Sequence, residues 1–206
     1  MARKSKIRRK TTETDIVLEL NLDGSGKADV KTQIPFFTHM LSSFAKHGLF
    51  DLKLMATGDV DVDLHHTVED AGLCLGEAVK KAAGSKAGIV RCAEATVPMM
   101  DSLASVVLDM SGRPYFKVNA TGGAMLITQR TSPLNKTEEG FDFGLVEEFM
   151  KAFSNSAGID LHVTLHYGRD IHHSIEAVYK ALGRALGAAV AKDKRIKGVL
   201  STKGRL

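Results

Sequence analysis

An internal duplication is the feature of this sequence that most constrains its fold. The segment HHTVEDAGLCLGEA at 65–78 aligns without gaps with HHSIEAVYKALGRA at 172–185. The match extends upstream, where SFAKHGLFDLKL at 43–54 resembles AFSNSAGIDLHV at 152–163 with one gap. Because the period is about half of the 206 residues, the chain carries two copies of one folding unit rather than a solenoid of short repeats.

Hydrophobic periodicity predicts a similar order of elements in each unit. For the first unit it predicts strands at 13–22, 27–34 and 50–56 and helices at 36–47, capped by Gly48, and at 65–83. For the second it predicts strands near 88–97, 103–110, 114–121 and 159–166 and helices at 143–157 and 172–191. The segment 122–141 is expected to be an irregular surface loop. The predicted fold class is α/β (α+β type), an internal duplication of a sheet-plus-two-helices unit with the two halves packed together.

The two units predict one domain over 1–206. It consists of repeats at about 1–87 and 88–195 and a C-terminal tail at 196–206. Hydrophobic residues make up 44% of the chain, which is enough to build a core without disulfides. The two cysteines are too few for a disulfide scaffold. Since neither a signal peptide nor a long apolar stretch is visible, we expect a cytoplasmic protein with no membrane partner.

Positive charge is concentrated in the first ten residues, within a net charge of +4. Such a run could bind nucleic acid, attract an anionic small substrate, or form a solvated edge or frayed terminus. We favour the solvated edge or terminus and therefore expect no nucleic-acid partner.

Two HHxxE motifs at equivalent positions of the duplication carry the chemistry. Side chains at i and i+4 stack on one face of a helix, so His65 with Glu69 and His172 with Glu176 form chelating pairs. Imidazole combined with carboxylate suits Mn, Fe or Zn. A single copy could be a polar helix start whose Glu complements the helix dipole. Two copies predict metal binding.

The remaining histidines of interest lie beside or upstream of these pairs. His66 and His173 point about 100° away from their neighbours on the helix. They could therefore serve a second metal or a neighbouring chain. His39, in the helical segment FFTHM, is predicted as a further ligand. His47 precedes a helix-ending glycine and could act either in capping or in the site.

A set of basic and hydroxyl side chains is suited to hold a phosphate. Arginine, lysine and a serine hydroxyl can together clamp that group, although each residue taken alone could be an ordinary surface charge. The set comprises Arg91, Arg113, Lys180, Ser201 and Lys203. Glu13 is a lone carboxylate on the first predicted strand.

Together these motifs resemble the imidazoleglycerol-phosphate dehydratase family. The matching strings are RKTTET (9–14), FFTHML (36–41), GDVDVDLHHTVED (58–70), GIVR (88–91), PMMDSL (98–103), LDMSGRP (108–114), HHSIEA (172–177) and STKG (201–204). They cover essentially the whole chain, so the single domain at 1–206 is identified as a member of this family.

The resemblance implies a manganese lyase of histidine biosynthesis. It implies two Mn²⁺ per active site and a homo-oligomer of 24 subunits with active sites between chains. The implied metal ligands are His39, His65, His66, Glu69, Glu148, His172, His173 and Glu176. At Glu148 we expect some members to carry histidine, and a carboxylate at this position can also ligate Mn. The implied substrate contacts are Glu13, His39, His47, Arg91, Arg113, Lys180, Ser201 and Lys203.

The chemistry of the implied substrate predicts a mechanism. In D-erythro-imidazole-glycerol phosphate no carbonyl acidifies the proton that must leave, so a simple enolate route is closed. A Mn-stabilised imidazolate could expel the neighbouring hydroxyl, and loss of a proton from the next carbon would lead to imidazole-acetol phosphate and water. Glu13 and Glu176 are the candidate proton shuttles, and the sequence does not choose between them.

Two other functions remain open at this point. A dinuclear metallohydrolase acting on a phosphorylated small molecule would also use the histidine motifs and the phosphate clamp. A basic nucleic-acid-binding module would use the N-terminus, but it leaves the repeated HHxxE motif unexplained.

Overall fold

The chain folds into two halves with matching element order. The structure, a computed structural model, describes residues 3–129, 132, 134–138 and 140–204. The first half consists of β1 (Lys4–Lys10), β2 (Thr14–Asn21), β3 (Ala28–Lys31), α1 (Pro35–Gly48), β4 (Asp51–Gly58) and α2 (Leu64–Ala83). The second consists of β5 (Cys92–Met99), β6 (Ser102–Asp109), β7 (Tyr115–Ala120), α3 (Ala124–Thr128), α4 (Phe143–Ala157), β8 (Asp160–Tyr167) and α5 (Ile171–Val190).

Each half contains a four-stranded sheet of the same topology. The strand orders are β1-β2-β4-β3 and β5-β6-β8-β7. In each sheet the first three strands are antiparallel, and the last strand joins its neighbour in parallel. Along β2, the buried residues Ile16, Leu18 and Leu20 alternate with less buried ones, so one face of the sheet belongs to the core.

The long helices connect the two halves. In the first half α2 packs on β1 and β2, and in the second half α5 packs on β5 and β6. Each of these helices also packs against a helix of the other half: α1 packs on α5, and α4 packs on α2. The predicted fold class, with duplicated sheet-and-helix halves packed together, is confirmed. Among the described helices, none combines the length and apolar composition needed to cross a membrane.

The basic N-terminal segment forms the edge strand β1, which the predicted unit omitted by starting at residue 13. Its side chains are largely exposed, and only Ile7 is buried, with 4% exposure. Lys6 pairs with Glu19 of β2 at 2.7 Å. The segment is a solvated edge rather than a frayed end. Because β1 has one buried residue among charged ones, its sequence shows no alternation of apolar and polar residues, and the strand was not predicted.

Three other local predictions need correction. Strand β5 begins at Cys92 rather than 88, because Gly88 and Arg91 have positive φ values of 72° and 78° and turn the chain. The left-handed residue after α1 is Leu49, with φ of 57°, rather than Gly48. The predicted loop at 122–141 contains the short helix α3. Residues 130, 131, 133 and 139 of that loop and 205–206 of the tail lie outside the described residues.

Close approach of helix backbones joins the two halves. A Cβ at Gly183 of α5 would lie 2.4 Å from the backbone oxygen of Phe44 in α1. A Cβ at Gly76 of α2 would lie 2.5 Å from the backbone oxygen of Phe153 in α4. These contacts correspond in the duplication, so the same glycine–carbonyl contact fixes both pairs of helices.

We expect Gly183→Ala and Gly76→Ala each to lower the free energy of unfolding by about 1–3 kcal/mol, because the added methyl group must push two helices apart. The expected destabilisation is opposite in sign to the intrinsic helix preference, which favours alanine over glycine by about 1 kcal/mol. Urea unfolding at one fixed protein concentration measures the change.

Gly123→Ala is the matched control. A Cβ there meets nothing within 4 Å, and its φ of −64° and ψ of −21° suit alanine. This variant should be neutral or slightly more stable. Stabilisation by all three substitutions would show that the helix backbones are not in contact at Gly76 and Gly183.

Candidate active site

A cluster of two imidazoles and one carboxylate forms where α1 crosses α5. The Asp170 side chain caps α5 by accepting from the His173 backbone N–H at 3.0 Å. In the first turn of this helix is His172, whose Nε2 lies 3.3 Å from Oε2 of Glu176, one turn further on. From α1, His39 Nε2 lies 3.4 Å from the same oxygen. The three ligand atoms lie within 4.8 Å of one another, a spacing that a metal ion can bridge.

The carboxylate of this cluster is buried and held ionised. Glu176 is 6% exposed, and its second oxygen, Oε1, lies 2.8 Å from Lys180 Nζ and accepts from Ser43 Oγ at 3.3 Å. Burial raises the pKa of Glu176, but hydrogen bonding and charge from Lys180 and His39 outweigh this and leave the pKa below its ordinary value. Oε2 is therefore available as an anionic ligand between the two imidazoles. This donor set fits Mn, Fe or Zn.

The duplicated counterpart of this cluster is only partly assembled. His65 Nε2 lies 3.2 Å from Glu69 Oε2, as the i, i+4 spacing predicted. Glu148 on α4 corresponds to His39 on α1, because α4 packs on α2 as α1 packs on α5. However, a Glu148 oxygen lies 3.7 Å from Lys151 Nζ, and among the described residues only the first cluster brings three ligands together. Ligation by Glu148 stays a prediction.

The second histidine of each motif faces an aspartate that sequence reasoning missed. His66 Nδ1 lies 3.0 Å from Asp59, and His173 Nδ1 lies 2.8 Å from Asp101. The hydrogen bond with Asp59 raises the pKa of His66, and the hydrogen bond with His173 lowers the pKa of Asp101. Within one chain neither histidine joins the first cluster. Asp59 lies in GDVDVD and Asp101 in PMMDSL, two strings that carry the family resemblance, but neither string shows which histidine its aspartate contacts.

Four of the five predicted phosphate ligands line one cavity. Its volume is about 970 Å³, and its lining includes Arg91, Arg113, Ser201 and Lys203 together with Ser111, Arg195 and Lys197. The fifth, Lys180, lies beside Glu176 instead. The cavity is rich in cationic side chains and hydroxyls, which suits an anionic group such as phosphate.

Arg91 links the cavity wall to the C-terminal segment. Its guanidinium donates to both oxygens of Asp109, at 2.7 and 2.8 Å, and to the backbone oxygen of Leu200 at 2.6 Å. Its backbone N–H donates to the Ala189 oxygen at 2.8 Å. These contacts hold the segment that carries Ser201 and Lys203 against the sheet.

Two other predicted site residues lie apart from this cavity. His47 is exposed at the end of α1, in a second cavity of about 680 Å³ with Arg184 and Glu94. Partial loss of hydration at this exposed position, and then the charges of Lys180 and Arg184, lower the pKa of His47. Glu13 is exposed in the turn before β2 rather than on the strand itself.

The cluster and the cationic cavity lie at opposite ends of α5. His172 is in the first turn, whereas Ala189, which contacts Arg91, is in the last. The two residues are 17 positions apart, which corresponds to roughly 25 Å along the helix at about 1.5 Å per residue. A small phosphorylated molecule cannot contact both sets of residues within one chain.

Comparisons with known proteins agree over almost the whole chain. The family model described as imidazoleglycerol-phosphate dehydratase matches residues 32–186. A relative of that name from Geobacillus kaustophilus is 51% identical, and the match covers 100% of both chains. Another, from Bacillus subtilis, is 50% identical over 99% of this chain and 100% of its own.

Solved structures with this description share the fold. The protein from Pyrococcus furiosus superposes with a TM-score of 0.78 at 34% identity, covering 97% of this chain and 100% of that one. The protein from Staphylococcus aureus gives a TM-score of 0.77 at 32% identity, covering 92% and 99%. The likeness therefore extends through both halves of the duplication.

The environment of Glu176 predicts an unequal effect of two lysine substitutions. In metal-free protein, Lys180→Met should lower the free energy of unfolding by about 3 kcal/mol at neutral pH, because a buried carboxylate loses its cation. The loss should shrink as the pH falls through 4.5, the ordinary pKa of glutamate, since protonated Glu176 needs no cation. Urea unfolding in the presence of chelator at several pH values measures both effects.

Lys81→Met is the matched control, because Lys81 pairs with Glu77 at 2.7 Å in the same i, i+4 order but on an exposed surface. Its expected cost is about 0.3–0.5 kcal/mol. Equal effects of the two substitutions would show that Glu176 does not depend on Lys180 for its charge.

Proposed function

The chain belongs to the imidazoleglycerol-phosphate dehydratase family, the hydro-lyases of that name in histidine biosynthesis, and on this basis we propose how its residues carry out the reaction. The proposed reaction converts D-erythro-imidazole-glycerol phosphate to imidazole-acetol phosphate and water, with two Mn²⁺ per active site. The observation that carries the proposal is the cluster of His39, His172 and Glu176, whose ligand atoms lie within 4.8 Å of one another.

The metal ligands fall into two related sets. His39, His172 and Glu176 would hold one ion, and His65 with Glu69 would begin the second site. Glu148 is a reasonable further ligand of the second ion, since it occupies the position on α4 that His39 occupies on α1. His66 and His173 would complete the sites of neighbouring chains. When bound, Mn²⁺ would supply a Lewis acid for the imidazole of the substrate.

Glu13 is the better of the two candidate proton shuttles. Both oxygens of Glu176 are engaged, one by imidazoles and the other by Lys180, so this carboxylate suits a ligand. The Glu13 side chain has no hydrogen-bond partner within the described part of the chain, while its backbone is fixed by a contact with the Asp59 N–H at 3.1 Å. Glu13 would take the proton from the carbon next to the one that loses the hydroxyl, and the resulting enol would become the ketone.

The substrate phosphate fits the cationic cavity, with Arg91, Arg113, Ser201 and Lys203 as its ligands. Because this cavity lies roughly 25 Å along α5 from the metal cluster, one substrate would bridge two chains, with the cluster from one and the cavity from the other. Head-to-tail contacts of this kind build a closed symmetric assembly when the rotation between successive chains closes. We therefore infer a homo-oligomer with active sites between chains, and the family resemblance suggests 24 subunits.

The proposal predicts metal-dependent loss of water from the substrate. Protein stripped with chelator should not convert imidazoleglycerol phosphate, and added Mn²⁺ should restore formation of imidazole-acetol phosphate. Proton and phosphorus NMR of the reaction mixture distinguish this product from the free phosphate that a hydrolase would release. Undiminished turnover by protein with no detectable metal would contradict the metal assignment.

Sites shared between chains predict complementation. His172→Ala and Lys203→Ala should each be nearly inactive alone, because one impairs the metal cluster and the other the phosphate cavity. Chains mixed in equal amounts, dissociated and reassembled together should regain about a quarter of the wild-type activity, since that fraction of sites would combine an intact cluster with an intact cavity.

Two variants of the same half-site, His172→Ala with His39→Ala, provide the control and should show no recovery. If the His172→Ala and Lys203→Ala mixture is no more active than its components, the site lies within one chain.

A further inference from the structure

The Asp59 and Asp101 carboxylates determine which nitrogen of two histidines carries the proton. Asp59 presents both oxygens to His66 Nδ1, at 3.0 and 3.1 Å, and Asp101 presents one to His173 Nδ1, at 2.8 Å. An ionised carboxylate only accepts hydrogen bonds, so each contact requires the proton on Nδ1. Nε2 then carries the lone pair, and in neither histidine does it have a hydrogen-bond partner among the described residues.

We propose that Asp59 and Asp101 are positioning residues that lock the tautomer and ring orientation of His66 and His173, so that Nε2 of each is presented as a metal ligand. This inference rests on the proposed metal-dependent function. It assigns a role to two side chains outside the proposed sets of metal ligands and substrate contacts. Carboxylates that orient a ligating imidazole in this way raise its basicity as well as fixing its direction.

Both carboxylates are themselves held in place. Asp101 Oδ2 accepts from the backbone N–H of Asp170 at 3.2 Å, and Oδ1 accepts from Ser102 Oγ at 3.3 Å. Asp59 is fixed through its backbone, whose N–H donates to the Glu13 oxygen at 3.1 Å and whose oxygen accepts from Val62 at 2.8 Å. Each aspartate is therefore fixed at the end of a strand, and its contact fixes the orientation of the histidine ring.

The two halves achieve this contact from different positions, so it is not simply inherited from the duplication. Asp59 follows β4, and its counterpart after β8 is Gly168. A Cβ at Gly168 would lie 2.3 Å from Ser174 Oγ, so a side chain at this position would have to displace that hydroxyl. In the second half the carboxylate comes instead from Asp101, just before β6, where the first half has Glu13.

Asp→Asn substitutions test the tautomer with little change in shape. An asparagine can turn its NH₂ group toward Nδ1, which favours the proton on Nε2 and removes the ligating lone pair. Metal-free wild type, Asp59→Asn and Asp101→Asn are titrated with Mn²⁺, and free Mn²⁺ is counted from its electron paramagnetic resonance signal. Each variant should weaken one of two binding classes by about 10- to 100-fold and leave the other unchanged.

Asp61→Asn is the matched control, because Asp61 is exposed and lies two residues from Asp59. It removes the same charge and should leave both binding classes unchanged. Asp59→Glu and Asp101→Glu keep a carboxylate and should recover part of the lost affinity. The unfolding temperature of each metal-free variant is measured as well. A purely structural role for the aspartate would lower this temperature, whereas a positioning role lowers the Mn²⁺ affinity.

Wild-type Mn²⁺ affinity in both Asn variants would overturn the inference, even if their unfolding temperatures fell. An equal loss in Asp61→Asn would also overturn it, because general charge would then explain the effect. A wild-type protein that binds no Mn²⁺ would overturn the proposed metal function itself. Two normal Mn²⁺ classes in wild type and in both Asn variants would leave that function standing and remove only the positioning role.

Discussion

The exchange of helix contacts between the two halves is the interaction on which the site depends. Neither half contains the three-ligand cluster by itself, since His39 belongs to the first and His172 and Glu176 to the second. They meet because α1 packs on α5, and the backbones of these two helices approach closely where Gly183 faces the carbonyl oxygen of Phe44. The stability of the fold and the geometry of the site therefore rest on the same contact.

At the contact between α1 and α5, neighbouring charges keep the Glu176 carboxylate ionised, although its burial favours the neutral form. Glu176 lies between two imidazoles on one side and an ammonium group on the other. Removing charge from water is costly unless partners compensate, and here the partners lie on both helices of the contact. A ligand of this kind is ready to bind a cation without first losing a proton, which connects the packing of the helices to the proposed chemistry.

The sequence predicted best what is local. The pairs His65 with Glu69 and His172 with Glu176 follow from helical spacing, and the structure shows both. It predicted less well what depends on distant parts of the chain. Asp101 lies 72 residues from the histidine it contacts, and the spacing of residues does not determine which helices cross. Strand β1 was missed because charged side chains mask a pattern that depends on one buried isoleucine.

Glu13 and Asp101 occupy corresponding positions before the second strand of each half, yet only Asp101 is bound to a histidine. Two pseudo-symmetric metal sites with identical surroundings could receive an imidazole ring in either of two orientations. Asp101 contacts a histidine and Glu13 contacts none among the described residues, so the two sites are no longer equivalent. On the proposed function, this divergence of the two copies gives the active site a polarity, because only one of the two corresponding carboxylates is left to move a proton.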